Sequence, residues 1–367
     1  MLQLTGKIMS KDNVIATVRD GIITDSNQNL LPLFLKKTGD VEGWLNSRAI
    51  DSHRTNSRLL KKALRLTTAD DAELVLKVNG VTITDTYWFK EDGRALTYED
   101  VRFKRNVFDK LALTGDPDSF NQPYSPTPEL TNIGSFEKCW RLEDGKWWMI
   151  KQGSELERFS ELFICKLGQA LGFPMADYIA ENGTIKSPDF TNGASVNYEP
   201  AAGLIGGDED YALNFNVFWE LSPELAEQYL QIIYLDTICF NMDRHTQNYG
   251  VLREVDSGEI LSMAPNFDNN IALFARGIPG NLNRKNDKLV SLFCELLEKN
   301  SSALEIAKQM PIPNRKMIER CVGQIAVPID TQTVCDFVMN GSDMVQTNIF
   351  RLSQQPDLER LGFELAD

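Results

Sequence analysis

Apolar and polar residues alternate over short stretches at the start of the chain. LTGKIMS and VIATVRDGIIT have the two-residue period of half-buried strands, and RTNSRLLKKALRL has the spacing of a helix. ELVLKVNG and TITDTYWFK indicate two more strands, which meet at the turn-forming pair Asn79-Gly80. We therefore predict an N-terminal α+β accessory module over residues 1–110.

The next stretch, LALTGDPDSFNQPYSPTPEL, is rich in Pro, Ser, Asp and Gly and has no packing period, so it predicts a linker over residues 111–130. After it, IGSFEKCWRLEDGKWWMIKQG predicts two strands joined at Asp144-Gly145. SELERFSELFICKLGQALG predicts a helix, and DYIAENGTIKSPDF predicts a further hairpin. These elements predict a small, strand-rich lobe over residues 131–195.

Longer apolar segments dominate the rest of the chain. SPELAEQYLQIIYLDTICF predicts a buried helix, with Ser222 as its N-cap and Pro223 at the first helical position. YGVLREV and EILSMAP predict two short strands, and the remaining residues predict helices with breaks at PIP, VPID and NGSD. A mostly helical lobe is therefore predicted over residues 196–367, in a fold of the α+β class.

The composition is that of a globular protein with more than one domain, since the chain has 367 residues, of which 42% are apolar and 25% charged. No run of about 18 apolar residues occurs. The start, MLQLTGKIMSKDN, lacks the apolar core of a signal peptide. We therefore expect a cytoplasmic protein with no membrane contact.

The formal net charge of −14 is unevenly distributed. Residues 1–120 contain nearly equal numbers of basic and acidic residues, so the acidic excess lies in the later residues. This excess argues against general nucleic-acid binding by the later residues. One basic cluster lies in the early helical segment. It consists of Arg54, Arg58, Lys61, Lys62 and Arg65. The cluster indicates either a solvated helix face or a contact with nucleic acid or an acidic partner.

The cysteines and histidines bear on metal chemistry. The six cysteines are scattered without a C-x-x-C pair, and several lie in apolar helical runs, which favours buried, reduced thiols. Only two histidines occur, His53 and His245, so we expect no zinc site. A bound metal would be a hard ion on oxygen ligands.

Candidate chemistry concentrates where the long apolar helix ends. NMDRHTQNYG places Asp243 five residues before Asn248, and Asp268 follows the next hairpin. Phosphoryl transfer requires a carboxylate beside the acceptor hydroxyl, and an amide and a second carboxylate that hold Mg²⁺ against the phosphates. It also requires a strand lysine steadied by a helix glutamate, and Lys151 and Glu161 lie in such positions.

These residues carry a family resemblance. D-R-H-x-x-N, with a lysine-bearing strand before it and an Asp after an intervening hairpin, resembles the HipA-like serine/threonine kinases, which are toxin-type bacterial kinases related to the phosphoinositide 3- and 4-kinase group. The resemblance covers residues from about 130 to 350, and DRHTQN and APNFDNN are its most specific parts. TNIGSFEK is similar to the phosphate loop of the family, although it contains a single glycine.

The resemblance implies a two-lobed protein-kinase-like fold that binds ATP and Mg²⁺ between a small β-rich lobe and a mostly helical lobe. It implies Asp243 as the catalytic base, and Asn248 and Asp268 as the Mg²⁺ ligands. His245 would support the catalytic loop or lie near the transferred phosphate. Lys151 would contact the phosphates, with Glu161 as its partner. The other implied nucleotide contacts, in the phosphate loop and the adenine-side hinge, are Gly134, Ser135, Lys138, Asp189 and Phe190. Thr131 falls where the family carries an autophosphorylated serine.

The reaction implied is transfer of the γ-phosphate of ATP to a serine or threonine of a protein. Two alternatives stay open at this point. One is a lipid or small-molecule kinase, since phosphoinositide kinases share the motif. The other is a non-catalytic regulator with a kinase fold that binds DNA or a protein. The implied partners are a protein substrate and an antitoxin-like or DNA-binding protein.

Overall fold

The computed structural model describes residues 4–67 and 70–354, and they form two compact units. Each unit is assembled from three separate stretches of chain. Of the described residues, unit 1 contains those up to Ser154, together with Ala176–Gly206 and Thr246–Pro265. Unit 2 contains Glu155–Met175, Gly207–His245 and the described residues from Asn266 onward. The units group residues by proximity in space, so the predicted division at residues 110, 130 and 195 stays a prediction.

Unit 1 begins with an antiparallel sheet of strand order β3-β2-β1-β4. Its strands are Gly6–Ser10 (β1), Asn13–Arg19 (β2), Ile22–Ser26 (β3) and Tyr87–Glu91 (β4). Ile8, Val18 and Phe89 from this sheet pack with Trp44 in one hydrophobic core. The strands predicted from the alternating pattern of LTGKIMS and VIATVRDGIIT are confirmed.

The helices of unit 1 are short. They are Leu33–Thr38 (α1), Val41–Asn46 (α2), Ser57–Ala63 (α3), Asp71–Leu76 (α4), Tyr98–Val101 (α5) and Asp109–Thr114 (α6). α4 covers the first half of the segment predicted as the strand ELVLKVNG, and turns follow it, so that prediction is wrong. The side chain of Asp70 accepts a hydrogen bond from Glu73 N and starts the helix. The strand predicted over TITDTYWFK is also shorter than expected, because β4 begins only at Tyr87.

The second sheet of unit 1 has the order β5-β6-β8-β7. Its strands are Lys138–Glu143 (β5), Lys146–Lys151 (β6), Ile179–Glu181 (β7) and Thr184–Pro188 (β8). Both predicted hairpins are confirmed. Asp144 and Gly145 at one turn, and Asn182 and Gly183 at the other, have positive φ, the backbone conformation that tight hairpin turns require.

A second hydrophobic core of unit 1 joins early and later residues. Val81 and Phe103 pack in one cluster with Leu130 of the predicted linker and with Trp140 of β5. The linker region itself contains two 3₁₀ helices, Pro117–Asn121 and Pro128–Thr131. The first 110 residues therefore share a core with the second sheet.

The third sheet of unit 1 contains Val196–Pro200 (β9), Gly250–Glu254 (β10) and Ile260–Met263 (β11), in the order β11-β10-β9. Arg253 of β10 and Glu199 of β9 form a buried ion pair. Arg253 Nη2 also donates to Asn29 O at 2.6 Å, which fixes this sheet to the N-terminal part of the unit.

Unit 2 is helical in its described residues. Its helices are Glu155–Ala170 (α7), Tyr211–Leu221 (α8), Pro223–Cys239 (α9), Lys288–Lys299 (α10), Ser301–Gln309 (α11), Arg315–Val322 (α12) and Thr331–Ser353 (α13). Ser222 accepts from Leu225 N and caps α9 as predicted. The predicted break at NGSD is wrong, because α13 continues through Gly341, where it closely approaches the end of α9.

The predicted α+β class is confirmed, and so is the burial of the six cysteines as free thiols. None of the helices in the described ranges is long and apolar enough to cross a membrane. The predicted basic cluster needs a correction. Arg54 is only 1% exposed and precedes α3, whereas Arg58, Lys62 and Arg65 are exposed.

Candidate functional site

The D-R-H motif follows a sharp turn of the chain at the end of α9. Phe240 has a left-handed backbone (φ 56°), and its N–H donates to Asp236 O and Thr237 O of the last helical turn. Asn241 N also donates to Asp236 O at 2.8 Å. A phenylalanine in this conformation costs free energy, so the surrounding contacts must maintain the turn.

Arg284 provides such contacts. Its Nη2 donates to Thr237 O at 2.6 Å and its Nη1 to Ile238 O at 2.9 Å, so a cation caps the negative end of α9. The guanidinium also stacks on the rings of Phe240 and Phe337, with centroid distances of 5.1 and 4.5 Å. This residue is fully buried and fixes the point from which the motif departs.

Arg244, the middle residue of the motif, fixes the motif to unit 2. Its Nε and Nη2 pair with the two carboxylate oxygens of Asp236, at 2.7 and 3.0 Å. Burial disfavours its charge, but the adjacent carboxylate prevails and raises the pKa of Arg244. The sequence interpretation gave Arg244 no role. An aspartate inside the apolar run QIIYLDTICF was a signal that a buried cation lies nearby.

Arg244 also holds the segment that carries Asp268. Its Nη1 donates to Phe267 O at 2.8 Å, and its Nη2 donates to Asn266 Oδ1 at 3.0 Å and to Asn269 Oδ1 at 2.7 Å. The same side chain therefore orients both chain segments that bear the predicted acidic residues.

The carboxylates of Asp243 and Asp268 are electrostatically coupled. Burial raises the pKa of the half-buried Asp243, and the negative charge of Asp268 raises it further, while His245, Arg244 and Arg276 act in the opposite direction. The structure thus brings Asp243, His245 and Asp268 together within unit 2.

Glu161 lies on α7 and is fully buried. Its Oε1 accepts a hydrogen bond from Asn269 N at 2.9 Å, next to Asp268. One residue earlier, Ser160 Oγ donates to Ala272 O at 2.7 Å. α7 therefore orders the Asp268 segment from a second side, and the pairing of Glu161 with Lys151 stays a prediction.

Lys151 ends β6 in unit 1 and faces Lys138 of β5 in the strand register. It is 6% exposed, and its Nζ lies 5.4 Å from the centroid of the Tyr178 ring. A solvated strand lysine would keep its ammonium in water, so Lys151 is not of that kind, and its contact with the phosphates stays a prediction.

We name residues 132–138 the glycine loop. Gly134 has φ 109°, and a Cβ at this position would lie 2.5 Å from Lys138 Nζ, so the ammonium lies directly against the glycine. Ser135 is exposed. Thr131, just before the loop, is buried and donates from Oγ1 to Val81 O at 2.7 Å, which occupies its hydroxyl in a structural contact.

Asp189 and Phe190 follow β8. The Asp189 carboxylate accepts from Thr191 N at 2.9 Å, Thr191 Oγ1 at 2.7 Å and Gly193 N at 2.7 Å, so it organises a turn. Burial raises the pKa of this carboxyl despite these bonds. The Phe190 ring packs edge-on against Tyr198. Their predicted position beside adenine stays a prediction.

Asn248 is 7% exposed and lies in unit 1. The chain on each side of it is fixed, since Thr246 Oγ1 donates to Gly206 O at 2.7 Å and Ala201 N donates to Tyr249 O at 2.9 Å. Its predicted role as a metal ligand stays a prediction.

Comparison with known proteins identifies the fold. The chain matches no protein-family model and is similar to no curated protein. Its structure, however, has the fold of the HipA-like kinases. It is similar to HipA in the Shewanella oneidensis MR-1 toxin–antitoxin complex of HipA, HipB and operator DNA, with a TM-score of 0.55, 14% sequence identity, and coverage of 95% of this chain and 97% of that chain.

A second solved structure is also similar, the proinflammatory kinase CtkA of Helicobacter pylori. The TM-score is 0.46 and the identity 16%, and the match covers 62% of this chain and 95% of that chain. The fold is what the chain shares with HipA at this identity, so the resemblance drawn from DRHTQN and APNFDNN is confirmed at the level of the fold.

Proposed function

We propose that this protein is an ATP-dependent, HipA-like kinase that transfers the γ-phosphate to a serine or threonine of a protein. One observation carries the proposal. Arg244 bonds to Asp236 and to the segment that carries Asp268, and the negative charge of Asp268 acts on the carboxyl of Asp243. A proton acceptor and a magnesium ligand for phosphoryl transfer require two such carboxylates.

In this proposal Asp243 accepts the proton of the substrate hydroxyl as that oxygen attacks phosphorus. Its raised pKa makes the carboxylate a stronger base than an ordinary aspartate. His245 supports the loop. The residues proposed to contact nucleotide are Gly134, Ser135, Lys138, Lys151, Asp189 and Phe190, with Glu161 steadying Lys151 and the Asp268 segment. Catalysis would rest on positioning and charge neutralisation.

The donor chemistry of the two proposed ligands, a carboxylate and an amide oxygen, suits a magnesium ion. Asp268 and Asn248 would hold Mg²⁺, which when bound would neutralise charge on the phosphates. Among the described residues, no group of three or more His, Cys, Asp or Glu side chains is arranged to hold a metal alone. Mg²⁺ in kinases is typically held by few protein ligands together with substrate phosphates, so two oxygen donors suffice.

Buried amides beside Asp268 also favour a polar ligand. Within the described ranges, Asn266 Nδ2 and Asn269 Nδ2 are buried and have no hydrogen-bond partner. Buried donors are nearly always satisfied, so we expect ordered water or a ligand-linked oxygen next to them.

The deciding experiment is an autophosphorylation assay with labelled ATP, Mg²⁺ and mass spectrometry. We expect label on the wild-type protein and none on Asp243→Ala, and we expect Asp268→Ala to lose Mg-ATP binding as well. Asp256→Ala removes an exposed carboxylate from the β10–β11 turn and serves as the control. A wild type without nucleotide affinity would refute the proposal. Label transferred to lipid vesicles and not to protein fractions would favour the lipid-kinase alternative.

A partner role has one specific support, because the HipA of similar fold was solved with HipB and operator DNA. We infer an antitoxin-like or DNA-binding partner for this chain, in contact with the exposed basic residues of α3 and of the turn that follows it. Triple replacement of Arg58, Lys62 and Arg65 by Ala should abolish retention on DNA, whereas Asp243→Ala should retain it. DNA retention that survives the triple replacement would exclude this surface.

A further inference from the structure

Arg54 makes a concentrated set of contacts with the glycine loop. Its Nη2 donates to Asn132 O at 2.6 Å and to Gly134 O at 2.9 Å, and its Nε donates to Gly134 O at 3.2 Å. A longer bond of 3.4 Å joins Nη1 to Lys138 O. The arginine is about eighty residues away in sequence, yet one guanidinium bonds carbonyls at both ends and the middle of the loop.

A buried carboxylate completes this arrangement. Glu129 Oε2 accepts from Asn132 Nδ2 at 2.9 Å, and its Oε1 accepts from Trp140 N at 2.7 Å. Its Oε2 lies 4.0 Å from Arg54 Nη1, and neither side chain is exposed to solvent. Arg54 and Glu129 therefore bond to the glycine loop itself, and Glu129 also bonds to Trp140, just after the loop.

A second contact comes from the same N-terminal segment. Asn56 N donates to Glu137 Oε1 at 3.3 Å. Arg54 and Asn56 thus contact the loop at different points, so the segment before α3 packs along one side of the glycine loop. The predicted accessory residues 1–110 therefore contribute to the shape of the glycine loop.

The direction of these carbonyls determines the direction of neighbouring donors. In a trans peptide the N–H of the next residue points opposite to the C=O. Because Asn132 O and Gly134 O point at Arg54, the N–H groups of Ile133 and Ser135 point away from it. In the described part of the chain, neither of these N–H groups donates to another backbone group. Backbone N–H groups presented together in a loop form a concavity that binds anions.

We propose that Arg54 is a positioning residue of the glycine loop, which sets the direction of the Ile133 and Ser135 N–H groups toward the phosphates of a bound nucleotide. This inference rests on the proposed kinase function for its ligand. The loop geometry itself does not depend on that function and is tested separately.

Arg54→Lys is the informative variant. Lysine keeps the positive charge beside Glu129, but its single ammonium cannot reproduce the planar fork that bonds both carbonyls. The matched control is Arg48→Lys. Arg48 is a second buried arginine of unit 1, whose Nε donates to Gly80 O at 2.8 Å and whose Nη2 pairs with Asp85 at 2.8 Å. Both variants lose comparable buried bonds, and only one of them touches the loop.

Two readouts decide the inference. Titration calorimetry with a non-hydrolysable ATP analogue and Mg²⁺ should show at least about tenfold weaker binding for Arg54→Lys, and a change within about twofold for Arg48→Lys, since misplaced binding groups lose affinity steeply. Hydrogen exchange should rise over residues 132–138 in Arg54→Lys alone. A fall in melting temperature is expected for both variants and does not distinguish them.

The outcomes separate the two proposals. Equal analogue affinity in the two variants, or unchanged exchange of the loop in Arg54→Lys, would overturn the role of Arg54. If the wild type itself fails to bind the analogue, the proposed kinase function falls and with it the phosphate ligand. Loop exchange in Arg54→Lys still decides whether Arg54 positions the loop.

Discussion

Arg244 and Asp236 form a two-pronged ion pair in which each side chain is only 1% exposed. The arginine lies in the D-R-H motif, and the aspartate lies eight residues earlier, in the last turn of α9. A buried ion pair therefore fixes the residue next to Asp243. Planar, bidentate pairs of this kind fix geometry as well as charge.

Removing one member of this pair should be costly. Arg244→Met leaves Asp236 buried without its cation and should lower the free energy of unfolding by about 3–5 kcal/mol in urea titrations. The double variant Arg244→Met, Asp236→Leu should recover much of that loss, because no unpaired charge remains. It should still lack kinase activity, since the contacts of Arg244 with the Asp268 segment are then lost. A fully active double variant would show that the pair serves stability alone.

Asp243 should weaken the fold at neutral pH. Its pKa is raised in the folded state, chiefly by burial, so the folded protein holds this proton more tightly than the unfolded chain. Ionisation of Asp243 therefore costs the folded state free energy. This loss of stability is absent below the ordinary pKa of aspartate and is complete once the pH exceeds the raised pKa. Asp243→Asn should therefore be inactive. Above the pH range between the two pKa values it should be more stable than wild type, and below that range it should have the same free energy of unfolding as wild type. Urea unfolding across this pH range measures this, and an equal offset at every pH would contradict it.

The buried carboxyl of Glu129 should make the free energy of unfolding depend on pH a second time, at a site away from the D-R-H motif. Burial raises its pKa to about 7, despite hydrogen bonds from Asn132 and the charge of Arg54. Its ordinary value is 4.5, so the wild type should lose roughly 3 kcal/mol of stability as the pH rises from the ordinary to the raised value. Glu129→Gln should remove that slope, whereas Glu209→Gln, at an exposed site, should preserve it. Parallel slopes in all three proteins would contradict the raised pKa.

Gly341 offers a test in which two effects have opposite sign. Alanine in the middle of a helix normally gains up to about 1 kcal/mol over glycine. At Gly341, however, the added Cβ would lie 2.6 Å from Arg284 Nη1 and 3.0 Å from Ile238 O. Overpacking should prevail, and Gly341→Ala should lose about 1–3 kcal/mol. Gly207→Ala, which has open space, should change stability by less than about 0.5 kcal/mol. A stabilised Gly341→Ala would show that α13 moves away at little cost.

The sequence predicted elements well where a local signal determines them. Both hairpins of the second sheet were predicted from Asp144-Gly145 and Asn182-Gly183, since few other residue pairs accept those dihedral angles. The strand predicted over residues 73–80 was wrong because the buried residues Leu74, Val75 and Val78 also fit a helical spacing, and Asp70 caps that helix.

In the candidate site, too, the residues with a local sequence signal were predicted and those that depend on long-range contacts were not. Asp243, Asn248 and Asp268 were identified from their spacing and from a family resemblance. Arg54 was assigned to an exposed basic face, and its partners lie about eighty residues away, so no local pattern connects them. Arg244 went unnoticed for a similar reason, because its contacts with residues 266–269 arise only when distant segments fold together.

The assembly of each unit from three stretches of chain has a consequence for synthesis on the ribosome. Unit 1 includes residues up to Pro265, so it lacks its third sheet until β11 has emerged. Unit 2 needs the C-terminal helices and lacks them at that moment. The border between His245 and Thr246 falls inside the D-R-H-x-x-N sequence, residues 243–248. A nascent chain cut short anywhere before residue 265 would contain neither unit whole, so we expect incomplete translation products to lack the proposed activity.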